Sequence, residues 1–158
     1  MTSATTPVPT QRAPELLGQT VVVIGGSAGI GLETARRARA EGADLILMGG
    51  VEGRRAAVGM AFLSGLTAAT PALTRNLAVE LAPIRVNLIA AGFVDTPLSA
   101  ALLGDQLEAR REQLRTTLPI QRVVGPADIA ALAVHLMANT AITGATFDID
   151  GGQQLIAG

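Results

Sequence analysis

The chain has 158 residues, 49% of them apolar but only 2% aromatic, and a formal charge of −1. That length holds one domain with a core of Val, Ile, Leu and Ala. The near-neutral charge and the scattered pairs Arg36-Arg37, Arg54-Arg55 and Arg110-Arg111 argue against a nucleic-acid surface. The absence of cysteine excludes a disulfide scaffold, thiolate metal ligands and a cysteine nucleophile, and the single histidine, His135, excludes a multi-histidine metal site within one chain.

In chain order, residues 1–17 read as a flexible Thr- and Pro-rich tail, with an amphipathic turn at Glu15-Leu16-Leu17. The tail lacks the basic start and apolar middle of a signal peptide, and no apolar run is long enough to span a bilayer, so a cytoplasmic location is expected. Residues 18–158 read as a single domain. Gln19 to Ile24 is a short continuous apolar run, the pattern of a strand buried on both faces. Gly29 to Glu41 is helical by its apolar spacing, with Gly42 as its C-cap. Asp44 to Met48 is a second buried strand, followed by a mobile turn over residues 49–53. Residues 56–82 read as a helix that Pro71 kinks or splits. Arg85 to Ala90 is a third strand; Leu98 to Thr117 is helical; Pro126 opens a further helix through Met137. Ala145 to Ile149 is the last strand, closed by Gly151-Gly152. Strands alternating with helices predict an α/β fold with a mainly parallel sheet.

Directly after the first strand stands Gly25-Gly26-Ser27-Ala28-Gly29-Ile30-Gly31. A diphosphate needs close approach to backbone N–H groups at a helix N-terminus, and a Cβ at Gly25 or Gly29 would hold it away. Gly31 lets the helix pack against the strand, and the Ser27 hydroxyl can reach phosphate. The sequence between a buried strand and a helix makes this a candidate diphosphate site. A tight strand-to-helix turn without a ligand is the competing reading.

On these residues the chain resembles a short-chain dehydrogenase/reductase. The likeness covers residues 19–48 and 60–153. It rests on Val23 to Gly31, on Leu73-Thr74-Arg75-Asn76-Leu77-Ala78-Val79-Glu80-Leu81-Ala82-Pro83, and on Ile84-Arg85-Val86-Asn87. Ala91-Gly92-Phe93-Val94-Asp95-Thr96-Pro97 and Ile142 to Gly152 complete it. The resemblance implies a Rossmann-like sheet with flanking helices. It also implies an NADP or NAD cofactor and hydride exchange with a small-molecule carbonyl or alcohol. By the same resemblance Gly25, Ser27, Ala28, Gly29, Ile30 and Gly31 hold the diphosphate. Gly92 maps to the nicotinamide end, where the backbone at Val94 and the hydroxyl of Thr96 bond the carboxamide.

The departures from the family are specific. Its proton-transfer tyrosine and lysine fall at Leu63 and Thr67, and its serine at Gly50; the chain contains no tyrosine and no lysine at all. A phenol supplies or removes the substrate's proton and an ammonium lowers its pKa, and neither leucine nor threonine replaces them. No catalytic residue is therefore assigned. Ser64, beside the tyrosine position, has nothing to activate it. The family also places further strands between its second strand and its serine strand. Here Asp44 to Leu47 resembles the former and Met48-Gly49-Gly50 the latter, and they run straight on. The middle of the domain reads as removed and its ends joined. One hybrid strand cannot lie on both sides of the first strand, so the sheet should be narrow, with four strands.

Helix faces that lose their cover should then self-associate, and the apolar helix Met60 to Leu81 matches the family's dimer-forming helix, so a homodimer or homotetramer is expected. Glu52, Arg54 and Arg55 follow the second strand; the two arginines reach a 2′-phosphate or form a solvated loop pair, giving a slight lean to NADP. Leu98 to Pro119 matches the family's variable lid over the substrate, and its apolar residues suit either an apolar substrate or core packing. His135, Asp148 and Asp150 read as structural, the two aspartates sharing one face of the last strand. Two other readings stand beside the oxidoreductase: a non-catalytic dinucleotide-binding or dimerising scaffold, and an α/β nucleotide-binding domain outside the family.

Overall fold

A computed structural model describes residues 16–24 and 37–156. The glycine loop and most of the N-terminal tail lie outside the described residues. Four strands, β1 (Thr20–Ile24), β2 (Asp44–Gly50), β3 (Val86–Ala91) and β4 (Thr146–Ile149), form one sheet in the order β1-β2-β3-β4. All three pairings are parallel, and Ile24, Met48, Ile89 and Phe147 lie opposite one another in a single row. The hybrid strand β2 thus lies between β1 and β3, and the expected narrow sheet is found among the described residues. β3 is the most buried strand, with Val86 to Ala90 all inaccessible, as a central parallel strand requires.

The helices are α1 (Ala61–Glu80), α2 (Pro97–Leu103), α3 (Leu107–Thr117) and α4 (Pro126–Ala138), with 3-10 turns at Glu52–Arg54, Gly104–Gln106 and Gln153–Leu155. Strand alternation divides the core between the two sheet faces. Leu45, Leu47, Val86 and Leu88 pack with Ala38 of the helical residues 37–40 and with Leu77, Ala78 and Leu81 of α1. Ile46 and Ile89 face the other way, onto Leu136, Ile129 and Leu132 of α4. The connections β1→β2 and β2→β3 therefore share one face, while β3→β4 crosses the opposite face. The strand order advances in one direction throughout, so the last crossover has the opposite hand to the first two.

Several elements differ from the sequence reading. The helix expected over residues 56–82 starts later, at Ala61, and runs unbroken past Pro71. The helix expected over Leu98 to Thr117 is divided, because Gly104 takes φ +50° and a 3-10 turn follows. Gly49 and Gly50 belong to β2, and the turn that follows is bonded to α1: Gly53 N–H donates to Thr67 Oγ1 (2.8 Å), and the Ser64 hydroxyl donates to the Glu52 carbonyl (3.1 Å). Asp148 and Asp150 do not share a strand face, since β4 ends at Ile149 and Asp150 turns to accept from Gly152 N–H and Gln154 N–H. Gly42 does end the preceding helix, at φ +81° with its N–H on the Arg39 carbonyl.

Arg85 ties the two layers together. Its guanidinium meets Asp44 at 2.8 Å and donates to the carbonyls of Leu136, Asn139 and Ile142. It thus caps the C-terminus of α4, where a cation is favoured, and fixes that helix to the start of β2.

Candidate functional site

Adjacent parallel strands that send their chains to opposite faces leave a gap at their C-terminal ends. β2 leads to α1 on one face and β3 leads through α2 and α3 to α4 on the other. A cleft of about 590 Å³ opens at that point of divergence. Val51, Glu52 and Arg55 line it from the chain after β2, Gly92, Phe93, Val94 and Thr96 from the chain after β3, and Gln153 from the chain after β4. Leu98, Ser99 and Leu102 of α2 and Arg110 of α3 form its roof.

Gly92, Val94 and Thr96, picked out from the sequence, are therefore brought together. Gly92 is where β3 leaves the sheet, and a Cβ there would stand 2.7 Å from Asp150 Cβ, so only glycine allows this approach. The amide of Phe93 donates to Gln153 Oε1 (3.0 Å), and that of Asp95 to the Val124 carbonyl (2.9 Å). The intervening Val94 amide has no partner among the described residues. Thr96 is the N-cap of α2: its oxygen accepts from Ser99 N–H at 3.1 Å, while Thr96 N–H donates to Ser99 Oγ at 2.8 Å. The Val94 amide and the Thr96 hydroxyl thus sit two residues apart on the cleft wall, the hydroxyl accepting from Ser99 N–H. Gly25, Ser27, Ala28, Gly29, Ile30 and Gly31 lie outside the described residues.

Leu63 and Thr67, to which the resemblance assigns a proton relay, carry no titratable group. Thr67 is buried; its hydroxyl accepts from Gly53 and donates to the Leu63 carbonyl (2.9 Å). Leu63 is 40% exposed. Gly53 packs so closely on α1 that a Cβ would lie 2.6 Å from Ala68 N. A side chain at Gly50 would run into the Glu52 carboxylate. The first half of α1 is thus pinned to the turn after β2, and the Ser64 hydroxyl within it is spent on the Glu52 carbonyl.

The arginines of the loop part company. Arg54 pairs with Asp148 at 2.7 Å, whereas among the described residues Arg55 donates to the Ile156 carbonyl alone. Arg110 lies 5.8 Å from the centre of the Phe93 ring and donates to Gln113. Its pKa is lowered by burial and by the nearby Arg55 cation. Its neighbour Arg111 pairs with Asp95 through two bonds, at 3.0 and 2.8 Å, anchoring α3 to the loop after β3. Sequence reading passed over Arg110 and Gln153 as site residues. Arg110 lies in a run polar enough to face water throughout, and Gln153 follows a glycine pair with no motif of its own. No group of three potential metal ligands occurs among the described residues.

The chain is 39% identical to an uncharacterized oxidoreductase of Mycobacterium tuberculosis over 115 residues, which is 70% of this chain and 43% of that protein. It is 32% identical to carbonyl reductase family member 4 of Danio rerio, over 77% of this chain and 49% of that protein. Among solved structures, a small-chain dehydrogenase in complex with NADPH superposes with a TM-score of 0.74 at 25% identity, covering 88% of this chain and 71% of that one. The chain spans less than half the length of the curated relatives just described. The family model described as enoyl-(acyl carrier protein) reductase matches residues 46–154. That match takes in β3, the cleft and β4, and with these relatives it shows that the chain belongs to the short-chain dehydrogenase/reductase family.

Proposed function

We propose that this chain is a dinucleotide-binding oxidoreductase module whose own residues supply no proton relay. NADP(H) or NAD(H) would lie with its diphosphate on Gly25 to Gly31 and its nicotinamide at Gly92, Val94 and Thr96. The cofactor supplies hydride when bound. The chain orients its carboxamide through the Val94 amide and the Thr96 hydroxyl, and α2 and α3 shield the cleft from water. The substrate is a small carbonyl or alcohol, as in the family. The observation that supports this reading is the Val94 amide, without a partner among the described residues, beside Thr96 in the cleft, together with Leu63 and Thr67 on α1 where the resemblance puts the relay.

Fluorescence titration with NADPH and NADH, alongside turnover of assorted ketones, tests the reading. Binding with little or no turnover is expected, with a slight preference for NADPH. Substitution of Gly29 by a bulky residue should abolish binding. Robust turnover overturns the missing relay, and failure of both cofactors to bind overturns the dinucleotide site.

A dimerising scaffold is the second reading. It is favoured by the stripe Phe62, Leu66 and Leu73 along α1, exposed at 86%, 42% and 42%. A homodimer or homotetramer joined through that stripe is expected in analytical ultracentrifugation, and a monomer at every concentration would refute it.

A further inference from the structure

We infer that the cleft selects a substrate carrying an anionic group on an apolar body, with Arg55 and Arg110 receiving the anion. The inference rests on the cleft being the substrate-facing end of the dinucleotide site proposed above.

Ion pairing across the described residues is the starting point. Arg54, Arg85, Arg111, Arg115 and Arg122 each meet a carboxylate within 3.2 Å. The two arginines that line the cleft do not. Arg55 donates to a backbone carbonyl and Arg110 to a side-chain amide, both neutral acceptors. Both are half-buried and line the same cleft. They are close enough for Arg55 to depress the pKa of Arg110, alongside the larger effect of burial. Two partly desolvated cations held near one another repel, and a shared anion between them removes that cost. Arginine presents a planar fork suited to carboxylate, phosphate or sulfonate oxygens.

The rest of the lining sets the remainder of the ligand. Met60, Val94, Leu98 and Leu102 offer apolar surface, and Leu98 and Leu102 are 69% and 77% exposed on the roof. Apolar side chains left open over two cations match a molecule with an oily body and one charged end. Glu52 also lines the cleft, but neither Arg55 nor Arg110 pairs with its carboxylate. It leaves the arginines a charge excess of one.

The anion has two sources, the substrate or the 2′-phosphate of NADP(H). Binding of 1-pyrenebutyrate and of the neutral 1-pyrenebutanol, followed by pyrene fluorescence without cofactor, isolates the arginine pair. The acid should bind about tenfold more tightly than the alcohol. Arg110→Gln should remove that preference while leaving the alcohol within about twofold, and Arg110→Lys should keep most of it. Equal binding of acid and alcohol by the unaltered protein overturns the inference, as does an equal loss of both in Arg110→Gln with the Arg110→Lys protein unaffected. A parallel titration with NADPH and NADH separates the sources. If Arg55→Gln weakens NADPH alone and leaves the pyrene preference intact, the pair reads the cofactor and the substrate assignment falls. Loss of cofactor binding by the unaltered protein, with the pyrene preference present, sinks the dinucleotide reading instead.

Discussion

The Thr70 hydroxyl donates to the Thr67 carbonyl at 2.7 Å, the acceptor that Pro71 leaves without an amide one turn later. That bond lets α1 run through a proline expected to break it. Thr70→Val should cost about 1 kcal/mol in urea unfolding, because the carbonyl loses its donor. In a Pro71→Ala background the same substitution should cost less, since the restored amide serves the carbonyl. An equal cost in both backgrounds would show the hydroxyl to be incidental.

Restoring the family's proton relay by substitution should fail structurally before it fails chemically. Thr67→Lys removes the acceptor for Gly53 N–H and places an ammonium at a position only 8% exposed. A loss of about 2–3 kcal/mol is expected in denaturant unfolding, and no gain in ketone turnover even with Leu63→Tyr added. A stable, active double variant would contradict this account of α1.

Arg85→Met should be among the most damaging single changes. It strands the Asp44 carboxylate, whose side chain is 22% exposed, and strips the Leu136 and Asn139 carbonyls at the end of α4 of the guanidinium donor. A loss of about 3 kcal/mol is expected, measured by chemical denaturation. Asp44→Asn, which keeps an oxygen for Arg85 N–H, should cost less.

Acid sensitivity should be traceable to Asp128. Its hydrogen bonds with the Arg122 guanidinium and the Gly125 amide lower its pKa from 3.8 to about 2. A depressed carboxylate contributes its stability fully above its unfolded value and loses it as pH falls through the folded one. The unaltered protein should therefore lose Tm between about pH 4 and pH 2 more steeply than Asp128→Asn does. Parallel acid limbs would rule out this assignment.

Gly53→Ala should loosen the cleft wall. The added methyl meets Ala68 N and Ser64 O at 2.6 and 2.8 Å, both backbone atoms that cannot step aside. A cost of about 1–3 kcal/mol is expected from such overpacking. Cofactor affinity should fall with it, because Val51, Glu52 and Arg55 ride on the same turn. Unchanged stability would mean that the turn and α1 are not in close register.

What the sequence made legible follows from how local each signal is. The strands are short apolar-rich segments bounded by glycine or polar residues, so their ends are legible to within one or two residues. Pro126 marks its helix start because a proline at that position forfeits no hydrogen bond. The break at Gly104 was not legible, since helix-forming residues flank it on both sides. Arg85 reads only as a strand start, because its carbonyl partners lie more than fifty residues away and depend on how α4 docks. The same holds at the cleft: Gly92, Val94 and Thr96 come from one contiguous motif, whereas Arg110 and Gln153 join them only through the folding of α3 and the turn after β4.

Strand neighbours in space are also neighbours along the chain. Each strand therefore emerges from the ribosome to find its docking edge already formed, and none must be threaded between two others. Assembly by accretion from the N-terminal side shortens the loops that must close before contacts reward them. Among the described residues, the sheet grows at a single margin.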